Sequence, residues 1–257
     1  MRTTSFTSRF GVLPLIAAML AASACSETTA PTSSPIPQSL EVYSGPLEPG
    51  GTNTYLFTLT QTVTVQLMLA GVVLENPVRS ISPVLRLQFA TWNGTECVPG
   101  LSVDTQPRLT AALHAYLGPG THCARVIDPG NLTEPSGVTL RIVAPALLDT
   151  GGVPGTVTFA SGITPAGTAT RTFEASTAGQ VVVTLTELSA GPVQAGLGLG
   201  IYATDGSGCK LAQIVRVVPG EAPHITTQVD AGDYCVSLWD VGNFTKNETF
   251  SIRIQHP

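Results

Sequence analysis

Apolar and polar residues alternate with a period of two over much of the chain. Val63, Val65, Leu67 and Leu69 are interleaved with Thr62, Thr64, Gln66 and Met68; Leu85, Leu87 and Phe89 alternate with Val84, Arg86 and Gln88; Val138, Leu140 and Ile142 with Thr139 and Arg141. Phe250, Ile252 and Ile254 repeat the pattern near the C-terminus. Successive side chains of a strand point to opposite faces, so this alternation predicts strands with one face in a core and one in water. Turn formers interrupt the runs: PGG at 49–51, WNG at 92–94, GPG at 118–120, DPGN at 128–131 and DGSG at 205–208. They recur every ten or so residues, the spacing of short antiparallel strands. Beyond the N-terminal segment, no stretch keeps a helical apolar stripe for three turns. The predicted fold class is all-β.

The pattern is also written twice. PVLRLQFATWNGTEC ends at Cys97 and AGLGLGIYATDGSGC ends at Cys209, and Cys123 and Cys235 follow at one common interval. A shift of 112 residues maps the first pair onto the second. It also carries Asp128, Gly130, Asn131 and Thr133 onto Asp240, Gly242, Asn243 and Thr245, and VTLRI onto FSIRI. Self-similarity at one fixed shift marks a tandem domain. Each copy, roughly 105 residues, reads as an antiparallel sandwich of about eight short strands. The domains expected are 39–147 and 156–257, joined by the glycine-rich linker 148–155. Four cysteines fall into the matched pairs, predicting one disulfide per copy, Cys97–Cys123 and Cys209–Cys235. Closing a loop of about 25 residues stabilises by roughly 3–4 kcal/mol on the chain-entropy estimate. No C-x-x-C is present, which argues against zinc.

The head of the chain reads as an address. MRTTSFTSRF carries two arginines and no acid, and the apolar run GVLPLIAAML that follows is too short to span a membrane. Residues 1–24 read as an export signal. Ala22, Ser23 and Ala24 precede the unmatched Cys25, the junction of a bacterial lipoprotein, whose cysteine is acylated. The same residues satisfy ordinary Ala-x-Ala cleavage, which would release a secreted chain instead. The Ser/Thr/Pro-rich stretch 25–38 cannot bury a core and reads as a tether. Ser26 supplies no acidic retention signal, so an anchored chain is expected at the outer membrane or cell surface.

Candidate chemistry is sparse. Asp128, Asn131, Asp240 and Asn243 sit in the duplicated Asp-x-Gly-Asn loops. Their oxygen atoms suit calcium, and the same residue types suit a backbone-capping turn. Neither His114, His122, His224 nor His256 has a metal-ligand or triad spacing to an acidic partner, and no G-x-S-x-G elbow is present, so no enzyme is expected. His114 and His122 read as partly exposed strand residues. Trp92, in a turn, is a candidate for stacking on a sugar; Trp239 reads as core packing at a strand end. The chain holds 12 basic and 17 acidic residues, net −5, which excludes a nucleic-acid surface. No cofactor and no metal are expected.

The order of motifs resembles a known family. Each copy opens with GTNTYLF or GTATRTF, runs through VTVQLML or VVVTLTEL, and reaches ATWNGTEC or YATDGSGC. LGPGTHCARVIDPGN or VDAGDYCVSLWDVGN and a final VTLRI or FSIRI complete it. This is similar to the bacterial pre-peptidase C-terminal domain, a jelly-roll-like sandwich that accompanies secreted proteases. The resemblance implies an accessory role. Ser82-Pro83 and Gln194-Ala195 stand where the family often has an acidic pair, which weakens an imported calcium site. The functional expectation is a noncatalytic envelope lipoprotein that binds or spaces another surface component, its partners the lipid bilayer and an envelope protein or polysaccharide. A carbohydrate-binding or adhesive module is the alternative, and a hydrolase with an unrecognised site is a third reading.

Overall fold

The computed structural model describes residues 38–145, 155–203 and 208–257. The export signal, Cys25, the tether and nearly all of the linker lie outside the described residues. The first copy contributes β1 (Gln38–Leu47), β2 (Thr52–Leu59), β3 (Val63–Glu75), β4 (Val78–Ile81), β5 (Leu85–Trp92), β6 (Cys97–Thr105), β7 (Leu113–Leu117), β8 (Gly120–Ile127) and β9 (Ser136–Pro145). The second contributes β10 (Gly155–Ile163), β11 (Thr168–Ala175), β12 (Gly179–Leu188), β13 (Ala195–Ala203), β14 (Gly208–Val217), β15 (Ile225–Val229), β16 (Gly232–Asp240) and β17 (Glu248–His256). Strand β4 has no counterpart in the second copy. It folds back on the long end of β3.

Each copy is an antiparallel sandwich. In the first, β1, β9, β3 and β7 face β2, β8, β5 and β6; in the second, β10, β17, β12 and β15 face β11, β16, β13 and β14. The alternation read from sequence is the burial pattern: Val65, Leu67, Leu69, Leu85, Leu87 and Leu140 are fully buried, while Thr64, Arg86 and their neighbours turn outward. Phe57 and Phe89 meet in the first core, and Phe159 and Phe250 edge to face in the second. Each sandwich has one internal disulfide, Cys97–Cys123 and Cys209–Cys235, spanning 26 residues each.

The copies are more than neighbours on a linker. Edge strand β1 of the first pairs antiparallel with edge strand β11 of the second, Glu41 opposite Arg171 and Ser44 opposite Thr168. One sheet of nine strands therefore runs through both, in the order β14-β13-β16-β11-β1-β9-β3-β4 with β7 also on β3. Pairing two edges removes the unsatisfied N–H and C=O groups that an open edge presents. The counterpart edges, β2 and β10, approach without a ladder. Ser161 donates to the carbonyl of Leu56 there, and Gly162 lies so close that a Cβ would sit 3.4 Å from the Thr54 carbonyl.

A polar cluster fills the seam between them. Tyr43 stacks on Tyr55 at 4.6 Å between ring centroids and donates its hydroxyl to Glu41 Oε2 at 2.5 Å. The Ser161 hydroxyl lies 2.8 Å from the Tyr43 oxygen, and Arg171 Nη1 lies 3.6 Å from Glu41 Oε1 while donating to the Thr158 carbonyl at 2.8 Å. Burial pushes the Glu41 carboxyl above its ordinary range, and Arg171 and the Tyr43 hydroxyl only partly offset it. Burial raises the Tyr43 phenol as well, with the charge of Glu41 adding to the effect. Buried apolar residues of both copies form one contiguous cluster around this seam.

Candidate functional site

The duplicated Asp loops are built alike. Asp128 Oδ1 accepts the N–H groups of Gly130, Asn131 and Leu132 at 3.0, 2.7 and 3.2 Å, and its Oδ2 accepts Gly50 N–H at 2.8 Å. Asp240 Oδ1 accepts Gly242, Asn243 and Phe244 at 2.8, 2.8 and 3.1 Å, and Oδ2 accepts Ala166 at 2.9 Å. The side-chain amides of Asn131 and Asn243 turn away, donating to the carbonyls of Val84 and Gln194. Burial acts to raise both carboxyls, but the backbone donors outweigh it and hold them below the ordinary aspartate range. Both oxygens of each carboxylate face N–H groups, an arrangement that ties the loop after β8 or β16 to the turn before β2 or β11. The four donors oppose a cation at either aspartate.

Histidines serve the frame. His122 is buried rather than partly exposed: Phe57 packs against its ring, and Nε2 lies 2.8 Å from the Gly118 carbonyl. Its strand alternation places it inward, so burial follows from register. His114 is exposed on β7, across from Gln66. His224 accepts from Leu185 N–H through Nδ1 and bonds the Val218 carbonyl through Nε2. His256 packs against Phe173. Among the described residues no group of three metal-ligating side chains converges.

A cleft of about 320 Å³ lies on the outer face of the continuous sheet. The register across β9, β1, β11, β16 and β13 aligns Arg141, Val42, Thr170, Ser237 and Gly198 in one row. A second row holds Thr168, Trp239 and Gly196, and a third Thr172, Cys235 and Gly200. Glycine at three alternate positions of β13 makes room for what lies over that strand: Trp239 covers Gly196, Leu211 covers Gly198, and the Lys210 backbone lies against Gly200. A Cβ on Gly196 would lie 2.0 Å from Trp239 Cε2, so the indole rests directly on the strand backbone. Trp239 is therefore half-buried on the outer face instead of packed in the core. Thr170 and Ser237 share a hydrogen bond of 2.7 Å, Thr172 Oγ1 accepts Leu40 N–H at 3.0 Å, and Tyr202, Leu211 and Cys209 complete the far wall.

The same face of the first copy is filled. Arg86, Gln88, Arg125 and Ile127 stand at the positions of Gly198, Gly200, Ser237 and Trp239. Arg86 pairs with Asp104 at 2.7 Å, and Arg125 donates to Gln88 at 3.0 Å. Trp92, the sugar-stacking candidate from sequence, ends β5 half-buried opposite Cys97 and does not line the cleft. The cleft was missed in sequence because its wall belongs to both copies. Its one local signal is the GLGLG run, since glycine at alternate strand positions marks a close approach by something else.

No family model matches the chain, and no curated protein matches it. Among solved structures it is similar to the PBSX exported protein XepA, at 11% identity over 82% of this chain and 84% of that one, with a TM-score of 0.27. Vicilin from Corylus avellana (hazelnut) aligns at 7% identity over 84% and 74% of the two chains, TM-score 0.22. Vicilin from Solanum melongena aligns at 9% identity over 84% and 74%, TM-score 0.21.

Proposed function

We propose that this chain is a noncatalytic binding module of the bacterial cell envelope, exported, acylated on Cys25 and held off the membrane by its tether, with the junction cleft as its ligand site. The cleft carries this reading: it is a concave surface that brings Trp239, Arg141 and Thr168 together, while the matching face of the first copy is covered by the Arg86–Asp104 and Arg125–Gln88 pairs. Duplication alone would produce the face twice. The resemblance of both copies to pre-peptidase C-terminal domains, which accompany enzymes without performing the chemistry, agrees with a binding role. Two disulfides agree with an oxidising compartment. Acylation by two or more chains would hold the protein stably, at about 0.8 kcal/mol per buried methylene.

Crosslinking capture of the tagged full-length protein from its native envelope tests the reading, with Cys25→Ala as the unanchored control and Val42→Trp, at a half-buried lining position, as the filled-cleft control. A component captured by the anchored form and lost in both controls is the expected result. Recovery of the same material by the filled-cleft form would overturn the cleft as the site. Failure of palmitate labelling at Cys25 would replace the anchored form by a secreted one.

A further inference from the structure

The cleft's chemistry narrows what it takes. Arg141 lies on its β9 side with Nε buried and no hydrogen bond or ion pair to any described residue. Its counterpart in the second copy, Arg253, is paired with Glu221 at 3.3 Å. An unpaired guanidinium in a half-buried position is costly unless an anion completes it, and its planar fork matches a carboxylate. The remaining lining is the Trp239 indole, Tyr202, the aliphatic Leu40, Val42 and Leu211, and the Thr168 hydroxyl, while the hydroxyls of Thr170 and Thr172 are engaged by Ser237 and by the Leu40 backbone. Strands β9, β1, β11, β16 and β13 beneath it are paired on both sides; β14 at the far wall ends the sheet, and its free edge faces away from β13. A ligand lying over the paired strands meets side chains and no open backbone edge.

Resting on the reading of the cleft as a ligand site, we propose that it binds an acidic oligosaccharide, with a sugar carboxylate on Arg141 and a sugar ring against Trp239. From β9 to β16 is three strand spacings, about 14 Å, the reach of a short oligosaccharide rather than one sugar. Trp239 supplies the apolar platform, Thr168 a hydroxyl beside it, and Arg141 the charge. Glu174 and Asp233 pair beyond the disulfide on the same face and repel acid groups from that end. This fixes the direction in which a chain carrying one carboxylate lies.

The test uses full-length protein in detergent against immobilised polygalacturonate, alginate and hyaluronan, with methyl-esterified polygalacturonate as the neutral control. Retention on at least one acidic polymer, and weaker retention on the ester, is expected. Arg141→Gln should weaken binding at least about tenfold, the usual scale for losing a charge-assisted pair. Trp239→Ala should weaken it about as much, and Val42→Trp, which fills the cleft from β1, should abolish it, while Trp92→Ala leaves it unchanged. Near-ultraviolet circular dichroism confirms folding of each variant. The proposal falls if no acidic polymer is retained, if the ester binds equally, if the cleft variants all retain binding, or if only Trp92→Ala loses it. Envelope capture that succeeds while every acidic polymer fails sinks the ligand assignment and leaves the binding-module reading standing; failure of both sinks both.

Discussion

Ala166 shows what a single residue costs where duplication has drifted. It occupies the position of Gly50, and both backbones are left-handed there, φ 54° and 69°. Each N–H caps an aspartate, so the conformation is required by the turn. An alanine Cβ in that region costs about 1 kcal/mol or more, whereas glycine adopts it freely. Ala166→Gly should therefore raise stability by about 1 kcal/mol, read as a shift in the denaturation midpoint at constant slope. The aspartates themselves carry more. Asp128→Ala leaves four backbone donors without their acceptor and should cost about 2 kcal/mol in the same measurement. Because the folded carboxyls titrate below the ordinary value of 3.8, the unfolded chain binds protons first on acidification. Their contribution is complete above that value and is lost as pH falls through the folded values. A melting series through this acid range should show that slope flattened in Asp128→Asn, and added calcium should leave the curve unmoved.

Elements place these residues with little help from composition. Large aromatic residues are few, so each sandwich relies on its aliphatic strands and one covalent tie. Cys209–Cys235 joins β14 to β16 across the outer face, beside Gly200, and Ser237 lies 3.6 Å from Cys209 Sγ. Replacing both cysteines by serine should cost roughly 3 kcal/mol on the chain-entropy scale and loosen the end of the cleft. Urea unfolding measures the first effect. Retention on the acidic polymers measures the second, with a loss smaller than that of Trp239→Ala expected.

On the scale of the molecule, the seam decides whether the two copies act as one body. Glu41 and Arg171 face each other across the β1–β11 pairing, and their counterparts in the repeat are Val157 and Tyr55, so the pair is particular to this junction. Breaking a buried pair by removing one partner costs about 3–5 kcal/mol. Arg171→Gln should approach that figure at neutral pH. The Glu41 carboxyl is already raised, so the folded state holds its proton more tightly than the unfolded chain does. Stability from that group is present below the ordinary value of 4.5 and declines as pH rises through the elevated folded value. Without Arg171 the decline should steepen, making the variant's deficit larger at pH 7 than at pH 4.5. Paired wild-type and variant melts at those two pH values decide it; an equal deficit at both would remove Glu41 from the account.

Strand positions, the duplication, the disulfide partners and the aspartate turns were legible along the chain because each is local or repeats at one shift. Alternation tells which side of a strand is buried, and matched cysteines tell which strands a covalent tie joins. His122 and Trp239 mark where local reading ends: one alternates into the core and the other onto a glycine stripe, and only neighbouring strands reveal which. Period-two patterning is indifferent to which edge finds which partner. The pairing of β1 with β11 was decided by tertiary structure, because an edge offers the same backbone groups to any strand that can meet it in register. From that choice follow the nine-stranded sheet, the buried seam of Glu41, Tyr43, Ser161 and Arg171, and the row that sets Arg141 of one copy in line with Ser237 of the other.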